Sequence, residues 1–534
     1  MSQNARQDEE IATQRRSRIL GLTYVDTSLI ANKPLYKELM TTQELYQMKV
    51  IPLTADDNHI GFGITNTTSQ QTMAGLRQRF LDQQCSFSLI SDAGYREYMT
   101  LYDPPKQVVY QDIALNNAGS SDLQDRVSAM LDQVKADDML AYLVQQAHQL
   151  NASDIHLENQ KDNVRIRLRI DGVLHAIAKV TKEKYRILVS AVASAGNIST
   201  SANEAQQGHI ATRARMADGK VVDVNVRLET VPAINGIDIV MRLFNMDQTM
   251  YTLDRLGLTT DERKVVDEII SRPSGLVLVV GPTGSGKTTT LYSMLNSLNT
   301  EERKIITIED PVEYQFAGIT QISVTSITSA EMSFADKLRA VLRLDPDIIM
   351  VGEIRDNDTA KTALQASLTG HLVLSTFHAS SAAAALTRLM DVIGANPLFV
   401  SAIRLVMAQR LVRRLDDKSK QPYQPDAATL ARVGEIIDTM PEGVERPDIN
   451  NLKLYQAGKS EENPFGFSGQ IAIREQFRMT GEIRQQMEHA DHVLSAQDIE
   501  ASAVKSGMCT MLQDGVLKAC QGITTLDEVF RVVG

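Results

Sequence analysis

Long apolar runs are absent from this chain of 534 residues. No stretch approaches the roughly 18 to 20 consecutive apolar residues that a membrane-spanning helix needs, so we expect any membrane role to be peripheral. The opening segment, MSQNARQDEEIATQRRSR, mixes acidic and basic residues without an apolar core, which argues against a secretory signal. The sequence therefore predicts a cytoplasmic location.

The chain also has few cysteines and no excess of basic residues. The three cysteines, Cys85, Cys509 and Cys520, show no CxxC spacing, which favours reduced thiols over a disulfide framework. The net charge of -11 and the pI near 5.4 oppose strong non-specific binding to DNA, because such binding depends on lysine and arginine contacts to phosphates. The sequence also lacks a basic tract rich in aromatic residues, the pattern typical of single-strand binding.

The hydrophobic content of 43% and charged content of 23% are those of an ordinary globular protein, and the length predicts three or four domains. We expect a multidomain α/β protein. A segment containing NNAGSSD has the composition of a linker. The predicted divisions are a flexible N-terminus (1–17), a first N-terminal α/β domain (18–105), a linker (106–135), a second N-terminal domain (136–246) and a larger domain with a C-terminal helical subdomain (247–534), which we call the engine.

Two strand patterns distinguish the second N-terminal domain from the engine. In NVRIRLRIDGVLHAI apolar and charged residues alternate, which predicts a half-buried strand that turns at Asp171-Gly172. In the engine, the apolar strands GLVLVVG, KIITIED and DIIMVGE alternate with helical segments. That alternation is typical of a parallel sheet covered by helices.

The motif GPTGSGKT follows the apolar strand LVLVV and precedes a helix-compatible segment, as a P-loop requires. Glycines let the backbone N–H groups surround phosphates, Lys287 reaches the β- and γ-phosphates, and Thr288 supplies a ligand to Mg²⁺. A glycine-rich turn without function is the weaker alternative, because strand and helix flank the motif. The predicted nucleotide-binding residues of this segment are Gly281, Pro282, Thr283, Gly284, Ser285, Gly286, Lys287, Thr288 and Thr289.

Hydrolysis of ATP also needs carboxylates near the metal and the attacking water. Glu353 follows the apolar strand of DIIMVGEIRD, although Gly352 occupies the place of the usual aspartate, and Glu353 could act through a water bound to Mg²⁺. Glu309 and Glu313 lie at the end of the strand in ITIEDPVEY, and we favour Glu309 as the residue that orients or deprotonates water. The alternative for each acid is a solvated charge at a strand end.

Two histidines, His371 and His378, stand seven residues apart in LTGHLVLSTFHA, with a strand between them. No cysteine or third histidine nearby completes a metal site. A structural role and a role as sensor of the γ-phosphate both stay open for these side chains.

Taken in order, GPTGSGKT, ITIEDPVEY, LRLDPDIIMVGEIRD and TALQASLTGHLVLSTFHA resemble the P-loop, Asp box, Walker B and His box of the type II secretion and type IV pilus assembly ATPases. The resemblance extends back through ASDIHLE and VRIRLRIDGVL and forward through AQRLVRRL and GITTLDEVFRVV. It also covers, more weakly, the region from RILGLTYVDTS to the Pro104-Pro105 pair.

The resemblance implies a homo-hexameric ring with a RecA-like engine, in which ATP and Mg²⁺ lie between the second N-terminal domain and the engine. It implies that Arg227 and Arg242 approach the phosphates from the smaller domain. It further implies that Arg339, Arg343 and Arg355 lie around the same cleft. A solvent-facing position is the alternative for each arginine.

Two family patterns are altered in this chain. The usual PQDGR turn appears as AQQGH, residues 205–209, and the late GYxGRxGIYE pattern appears as GFSGQIAIRE, residues 466–475. Many relatives carry a four-cysteine zinc module before the late pattern, but residues 415–471 contain neither cysteine nor histidine. We therefore expect no structural zinc, and expect Leu430, Val433, Ile436 and Ile437 to pack the insertion through one helical face.

The function that the resemblance favours is extension of a type IV pilus or assembly of a secretion pseudopilus at the inner membrane face. The expected partners are an inner-membrane platform protein and assembly proteins on the cytoplasmic face, without a specific nucleic acid. A retraction motor and a nucleic-acid translocase or conjugation ATPase are the alternatives. The first N-terminal domain is expected to dock a partner, because RRSRILGLTY does not cleanly carry the arginine-leucine-glycine pattern of cyclic dinucleotide binding.

Overall fold

A computed structural model describes residues 3–30, 32–103, 113, 120–135, 138–201, 203–215, 221–244, 251–324, 333–393, 397–460, 463, 465–479, 481–488 and 495–533. The chain forms two compact units, Met1–Tyr110 and Gln111–Gly534, which we call unit 1 and unit 2. Within these described ranges, no helix combines the length and apolarity required to cross a bilayer.

Unit 1 is a small α/β fold around a four-stranded sheet with the strand order β1-β4-β3-β2. The apolar segments VIPL and IGFGI form the antiparallel pair β2 and β3, as their sequence pattern predicts. The elements are α1 (Gln3–Leu20), β1 (Thr23–Tyr24), α2 (Thr42–Met48), β2 (Val50–Ala55), β3 (His59–Ile64), α3 (Gln70–Arg79), β4 (Gln84–Leu89) and α4 (Asp92–Tyr102).

Helix α1 occupies the segment for which the polar composition predicts a flexible end, so that expectation is wrong for the described residues. The helix is fixed by polar contacts rather than by an apolar stripe. The carboxylate of Glu10 accepts hydrogen bonds from the Tyr24 hydroxyl at 2.6 Å and from the Ser91 hydroxyl at 2.7 Å, while Arg6 pairs with Glu97 at 2.7 Å. Such long-range partners leave no periodic signal in the sequence.

Unit 2 begins with a six-stranded antiparallel sheet in the order β7-β6-β5-β10-β9-β8. The predicted turn at Asp171-Gly172 joins β6 to β7, and both residues have positive φ, 49° and 80°. The elements are α5 (Ser120–Gln133), α6 (Met139–Gln149), β5 (Ala152–Asn159), β6 (Val164–Ile170), β7 (Val173–Val180), α7 (Lys182–Gly196), β8 (Gln206–Arg215), β9 (Val221–Ala233) and β10 (Gly236–Phe244).

Helix α5 lies in the second half of the predicted linker, so the linker interpretation of residues 106–135 is wrong there. The buried side chains of Val127 and Leu131 attach this helix, and the Ser128 hydroxyl accepts a hydrogen bond from the Lys179 amide on β7 at 2.9 Å. The rest of the predicted linker, apart from 113 and 134–135, lies outside the described residues, as do the predicted boundaries near 105, 136 and 246.

The second part of unit 2 is a seven-stranded sheet in the order β13-β12-β14-β15-β11-β16-β19, parallel except for the edge pair β16 and β19. This is the α/β architecture that the alternating strands and helices predict. The elements are α8 (Thr260–Ile270), β11 (Gly275–Val280), α9 (Lys287–Leu298), β12 (Ile305–Glu309), β13 (Thr320–Ser323), α10 (Phe334–Val341), β14 (Ile348–Val351), α11 (Asn357–Leu368), β15 (Leu372–Phe377), α12 (Ala382–Ile393), α13 (Pro397–Ala402), β16 (Ile403–Leu415), β17 (Gln421–Tyr423), α14 (Ala427–Asp438), β18 (Leu454–Gln456), β19 (Phe467–Arg478), α15 (Gly481–Glu488), α16 (Ala496–Lys505), α17 (Met511–Cys520) and α18 (Leu526–Val533).

The insertion between β16 and β19 is held by a small apolar core. Val433 and Ile437 of α14 are buried, and Leu430 and Ile436 pack against the same cluster, which confirms the predicted helical face. The cluster also includes Val516 of α17. Apolar contact with the C-terminal helices thus organises this segment.

Candidate nucleotide site

A cavity of about 1040 Å³ lies between the six-stranded sheet and the carboxyl end of the seven-stranded sheet of unit 2. Both parts contribute charged side chains to its wall. A position outside the carboxyl ends of parallel strands is where open α/β sheets bind ligands. The lining residues used below are Asp154, Arg169 and Arg242 from the six-stranded sheet and Thr283–Thr289, Glu309, Glu313, Gly352, Glu353, Arg355, His378 and Gln470 from the other part.

The P-loop lies between the fully buried strand β11 and the N-terminus of α9. Gly286 adopts φ 81°, which lets the chain enter the helix with its first amide groups toward the cavity. Lys287 Nζ donates to the carbonyl oxygens of Gly281 and Pro282, each at 2.9 Å, so the ammonium group lies across the loop. Burial, together with the nearby Arg410 guanidinium, lowers the pKa of Lys287 to about 8.

Gln409 supports the loop from β16 and is a residue that our sequence analysis missed. Its side-chain amide donates to the Ser285 carbonyl at 2.6 Å and accepts from the Thr290 hydroxyl at 2.9 Å, with only 1% of the residue exposed. A polar residue inside the apolar strand sequence IRLVMAQRL is a signal that could have identified it. Gln409 thus fixes the P-loop to the sheet.

Glu353 stands in the cavity wall just beyond β14, as predicted. Its carboxylate is 3.1 Å from His378 Nε2 and forms an ion pair with Arg355, which also donates to Asp310 at 3.3 Å. Burial, with the positive charges of Lys287 and Arg355, lowers the pKa of His378. Glu353, Arg355 and His378 therefore form one polar group opposite the P-loop.

Gly352, which stands where we expected an aspartate before Glu353, lies in a tightly packed position. A Cβ atom at this position would meet the Ile308 carbonyl oxygen at 3.1 Å and Glu309 Cα at 3.4 Å, because the end of β12 lies against it. The Gly352 amide donates to that same Ile308 oxygen at 2.8 Å. Close strand packing at this point leaves little room for a side chain.

Glu309 lies deeper in the cavity wall and is only 3% exposed. Its carboxylate accepts hydrogen bonds from the Thr307 hydroxyl at 2.5 Å, from the Gln321 amide at 3.0 Å and from the Tyr292 hydroxyl. These three donors orient the carboxylate and compensate its burial. Tyr292 is therefore a second supporting residue that the sequence analysis did not identify.

Glu313 differs from Glu309 because its side chain remains open to the solvent-filled cavity. The surrounding protein reduces its hydration and, with the neighbouring Glu309 carboxylate, raises the pKa of Glu313. Arg242, Arg227 and Lys287 act in the opposite direction. Glu313 is thus a further acid of the cavity and lies in the field of three cations.

Arg242 reaches the cavity from β10 and is held by Asp154 of β5, whose carboxylate accepts from Arg242 Nε at 2.8 Å. Asp154 is 4% exposed and was not singled out by our sequence analysis, although it lies in the quoted segment ASDIHLE. Arg227 of β9 lies opposite Arg242 in the strand register. Its side chain contacts Gln207 and Glu229 and does not line the cavity.

Besides Arg227, three further predicted residues, Arg339, Arg343 and His371, do not line this cavity. Arg339 pairs with Asp336 at 2.8 Å on the surface of α10, and Arg343 is exposed in the short turn that follows. His371 precedes β15 whereas His378 follows it, so the six-residue strand separates them by roughly 20 Å at about 3.3 Å per residue. His371 Nδ1 instead lies 3.0 Å from the Ala366 carbonyl oxygen, a local contact.

Known proteins match most of this chain. Residues 131–531 match the family described as type II/IV secretion system protein. The chain is 40% identical to type II secretion system protein E of Xanthomonas campestris, over 73% of this chain but 66% of that protein, and so spans just under two thirds of it. It is 32% identical to the type IV pilus assembly ATPase PilB of Pseudomonas aeruginosa, over 96% of this chain and 88% of that protein.

The fold has a counterpart among solved structures. The ATPase DotB of Legionella pneumophila aligns with a TM-score of 0.56 and 22% identity, covering 75% of this chain and 96% of that one. At this level of identity the likeness concerns the fold, which is that of a multidomain P-loop ATPase. The chain belongs to the type II/IV secretion system protein family and is a P-loop ATPase.

Proposed function

We propose that this protein is a hexameric motor that couples ATP hydrolysis to extension of a type IV pilus or to assembly of a secretion pseudopilus. The observation that carries the proposal is the cavity shared by two separate sheets, with a P-loop on one wall and arginines of the other sheet on the opposite wall. A ligand that binds both walls stabilises their approach. Hydrolysis of that ligand weakens its contacts to the two walls, and the movement of the walls apart performs the mechanical work.

The residues of the cavity suit the chemistry of a nucleoside triphosphate. Lys287 and the P-loop amides bind the phosphates, and Thr288 and Glu353 supply hard oxygen ligands for Mg²⁺, which neutralises charge on the transferred group when it is bound. Both of these residues line the same cavity. Glu309 has the fixed orientation required to direct a water molecule, and Arg355 and His378 stand beside Glu353.

Arg242→Ala tests whether the six-stranded sheet completes the site. We expect turnover to fall about ten-fold or more, because a charge-assisted contact to phosphate contributes roughly 1.5 to 3 kcal/mol. Folding stability should change little, since the Arg242 side chain is 53% exposed and Asp154 keeps Arg169 as a partner. Steady-state phosphate release and thermal unfolding measure the two effects.

The matched control is Arg272→Ala, an exposed arginine that pairs with Glu268 on α8 away from the cavity. Sedimentation with and without nucleotide completes the test, because the proposed motor forms a six-subunit ring. An Arg242→Ala variant as active as the Arg272→Ala control, or full activity from monomers alone, would contradict the proposal.

We further propose that unit 1 docks the motor to an inner-membrane platform protein at the cytoplasmic face, with cytoplasmic assembly proteins as further partners. The match to the pilus assembly ATPase extends over 96% of this chain, which favours extension over retraction. Since residues 1–110 form their own compact unit, removing them should spare ATP hydrolysis and abolish co-purification with the membrane partner. A truncated protein that still co-purifies and supports fibre assembly would refute docking.

The acidic net charge of -11 supports a protein partner and no specific nucleic acid. Single-stranded DNA binding that weakens with salt would instead favour the translocase alternative.

No structural zinc is proposed for the insertion. Residues 415–471 contain neither cysteine nor histidine, and Cys509 and Cys520 lie outside the insertion and by themselves would form an incomplete zinc site. Apolar packing of α14 supplies the support that a metal module would give. Elemental analysis after removal of ATP and Mg²⁺ should find no stoichiometric zinc, and zinc whose chelation lowers the melting temperature would overturn this expectation.

A further inference from the structure

A row of charged residues crosses four strands of the six-stranded sheet. In the strand register Arg169 of β6 is opposite Asp154 of β5, Asp154 is opposite Arg242 of β10, and Arg242 is opposite Arg227 of β9. Residues directly opposite one another in neighbouring strands project from the same face. The row therefore carries three arginines and one aspartate on a single face.

Asp154 compensates only part of this charge. Its buried carboxylate lies 2.8 Å from Arg242 Nε and 3.3 Å from Arg169 Nε, so one anion serves two guanidinium groups. Both arginines line the cavity together with the P-loop, and about a third of the Arg169 side chain, 34%, remains exposed. This arrangement leaves one positive charge in excess and N–H donors available to an anionic ligand.

A second contact positions Arg169 at the cavity. Arg169 Nη1 donates to the Gly172 carbonyl at 3.0 Å, within the turn that joins β6 to β7. That turn contacts the seven-stranded sheet, because the Gly469 amide donates to the Asp171 carboxylate at 3.1 Å. The position of Arg169 therefore depends on a contact between the two walls of the cavity.

The other arginines of β6 provide an internal comparison. Arg165 lies on the same face four residues earlier, but it pairs with Glu158 at 2.7 Å and does not line the cavity. Arg167 shares that same Glu158 partner. Position along the strand, and not residue type, separates Arg169 from its neighbours.

We propose that Arg169 binds the phosphates of the nucleotide together with Arg242, from the wall opposite the P-loop. The inference rests on the proposed function, since it assumes that the ligand of this cavity is a nucleoside triphosphate. Arg169 recognises a polyphosphate through its planar fork of donors, while Asp154 and the Gly172 carbonyl hold the side chain in place.

The test compares Arg169→Ala, Arg169→Lys and the matched control Arg165→Ala in the full-length protein. Affinities for ATP and ADP are measured by titration calorimetry, turnover by phosphate release and stability by thermal unfolding. Arg169→Ala should lower the affinity for ATP about ten-fold, which corresponds to about 1.4 kcal/mol. The loss of affinity for ADP should be smaller. Arg169→Lys keeps the charge without the fork and should be intermediate, whereas Arg165→Ala should stay within about two-fold of wild type.

Two results would overturn the inference. In the first, Arg169→Ala binds ATP as tightly as Arg165→Ala does. In the second, both Arg169 variants lose ATP affinity and ADP affinity equally and also have a lower melting temperature. Lys287→Ala, measured in parallel, distinguishes failure of the proposed function from failure of the role proposed for Arg169. If Lys287→Ala keeps wild-type binding and turnover, the proposed function fails. If it loses them while Arg169→Ala does not, only the role of Arg169 fails.

Discussion

Lys287→Ala is expected to abolish ATP hydrolysis, with turnover lower by at least about 10² to 10³-fold, the usual effect of removing one preorganised donor from a transition state. Within the described lining of the cavity, the other basic side chains, Arg169, Arg242, Arg355 and His378, lie outside the P-loop. Lys287 Nζ instead lies across the loop itself, 2.9 Å from the carbonyl oxygens of Gly281 and Pro282, and we expect none of these other side chains to replace it there. Phosphate release by the purified variant measures the effect.

The fold should survive this substitution. Lys287 Nζ donates only to the two carbonyl groups of the loop, Gly281 and Pro282, which water can hydrate in its absence. The melting temperature should therefore remain close to that of wild type. Lys264→Ala, which removes an exposed lysine on α8, is the matched control, and near-normal turnover by Lys287→Ala would show that the site is assigned wrongly.

Glu353→Gln is expected to produce an enzyme that binds ATP but hydrolyses it slowly. The amide keeps the size of the side chain and one oxygen acceptor, but it loses the charge that acts on the metal-bound water. We expect turnover to fall about 10²-fold or more, while ATP affinity changes only a few-fold. Calorimetry and single-turnover hydrolysis separate the two quantities.

Glu268→Gln, an exposed residue of α8, is the control for this variant. Glu309→Gln is a less selective comparison, because the Glu309 carboxylate accepts from three donors and an amide would turn its own N–H groups toward some of them. That variant should lose stability as well as turnover. Rapid hydrolysis by Glu353→Gln would exclude Glu353 from the chemistry.

Under the proposed function, the row of Arg169, Arg242 and Arg227 lets one sheet report the state of the nucleotide. Their row is built on β5, β6, β9 and β10, whereas the P-loop belongs to a different sheet. Phosphates bound between the two attract both walls, and loss of the terminal phosphate weakens that attraction. A change in the angle between the sheets is the mechanical output that we propose.

Local sequence determined the elements that carry the chemistry. The strand, glycine and lysine pattern of the P-loop, the acid after β14 and the turn at Asp171-Gly172 all depend on residues within a few positions of each other, so periodicity and spacing predict them. The helical face of α14 was predictable for the same reason.

Tertiary structure alone decided which side chains share the site. Asp154 meets Arg242 across 88 positions of sequence, and Gln409 supports Ser285 across 124, through strand register and sheet order that no local pattern encodes. Local sequence, in contrast, already separates His371 from His378, because the strand β15 lies between them. The buried carboxylate of Glu309 needs hydrogen-bond donors because it has lost its hydration, and the fold supplies the Tyr292 hydroxyl as one of them.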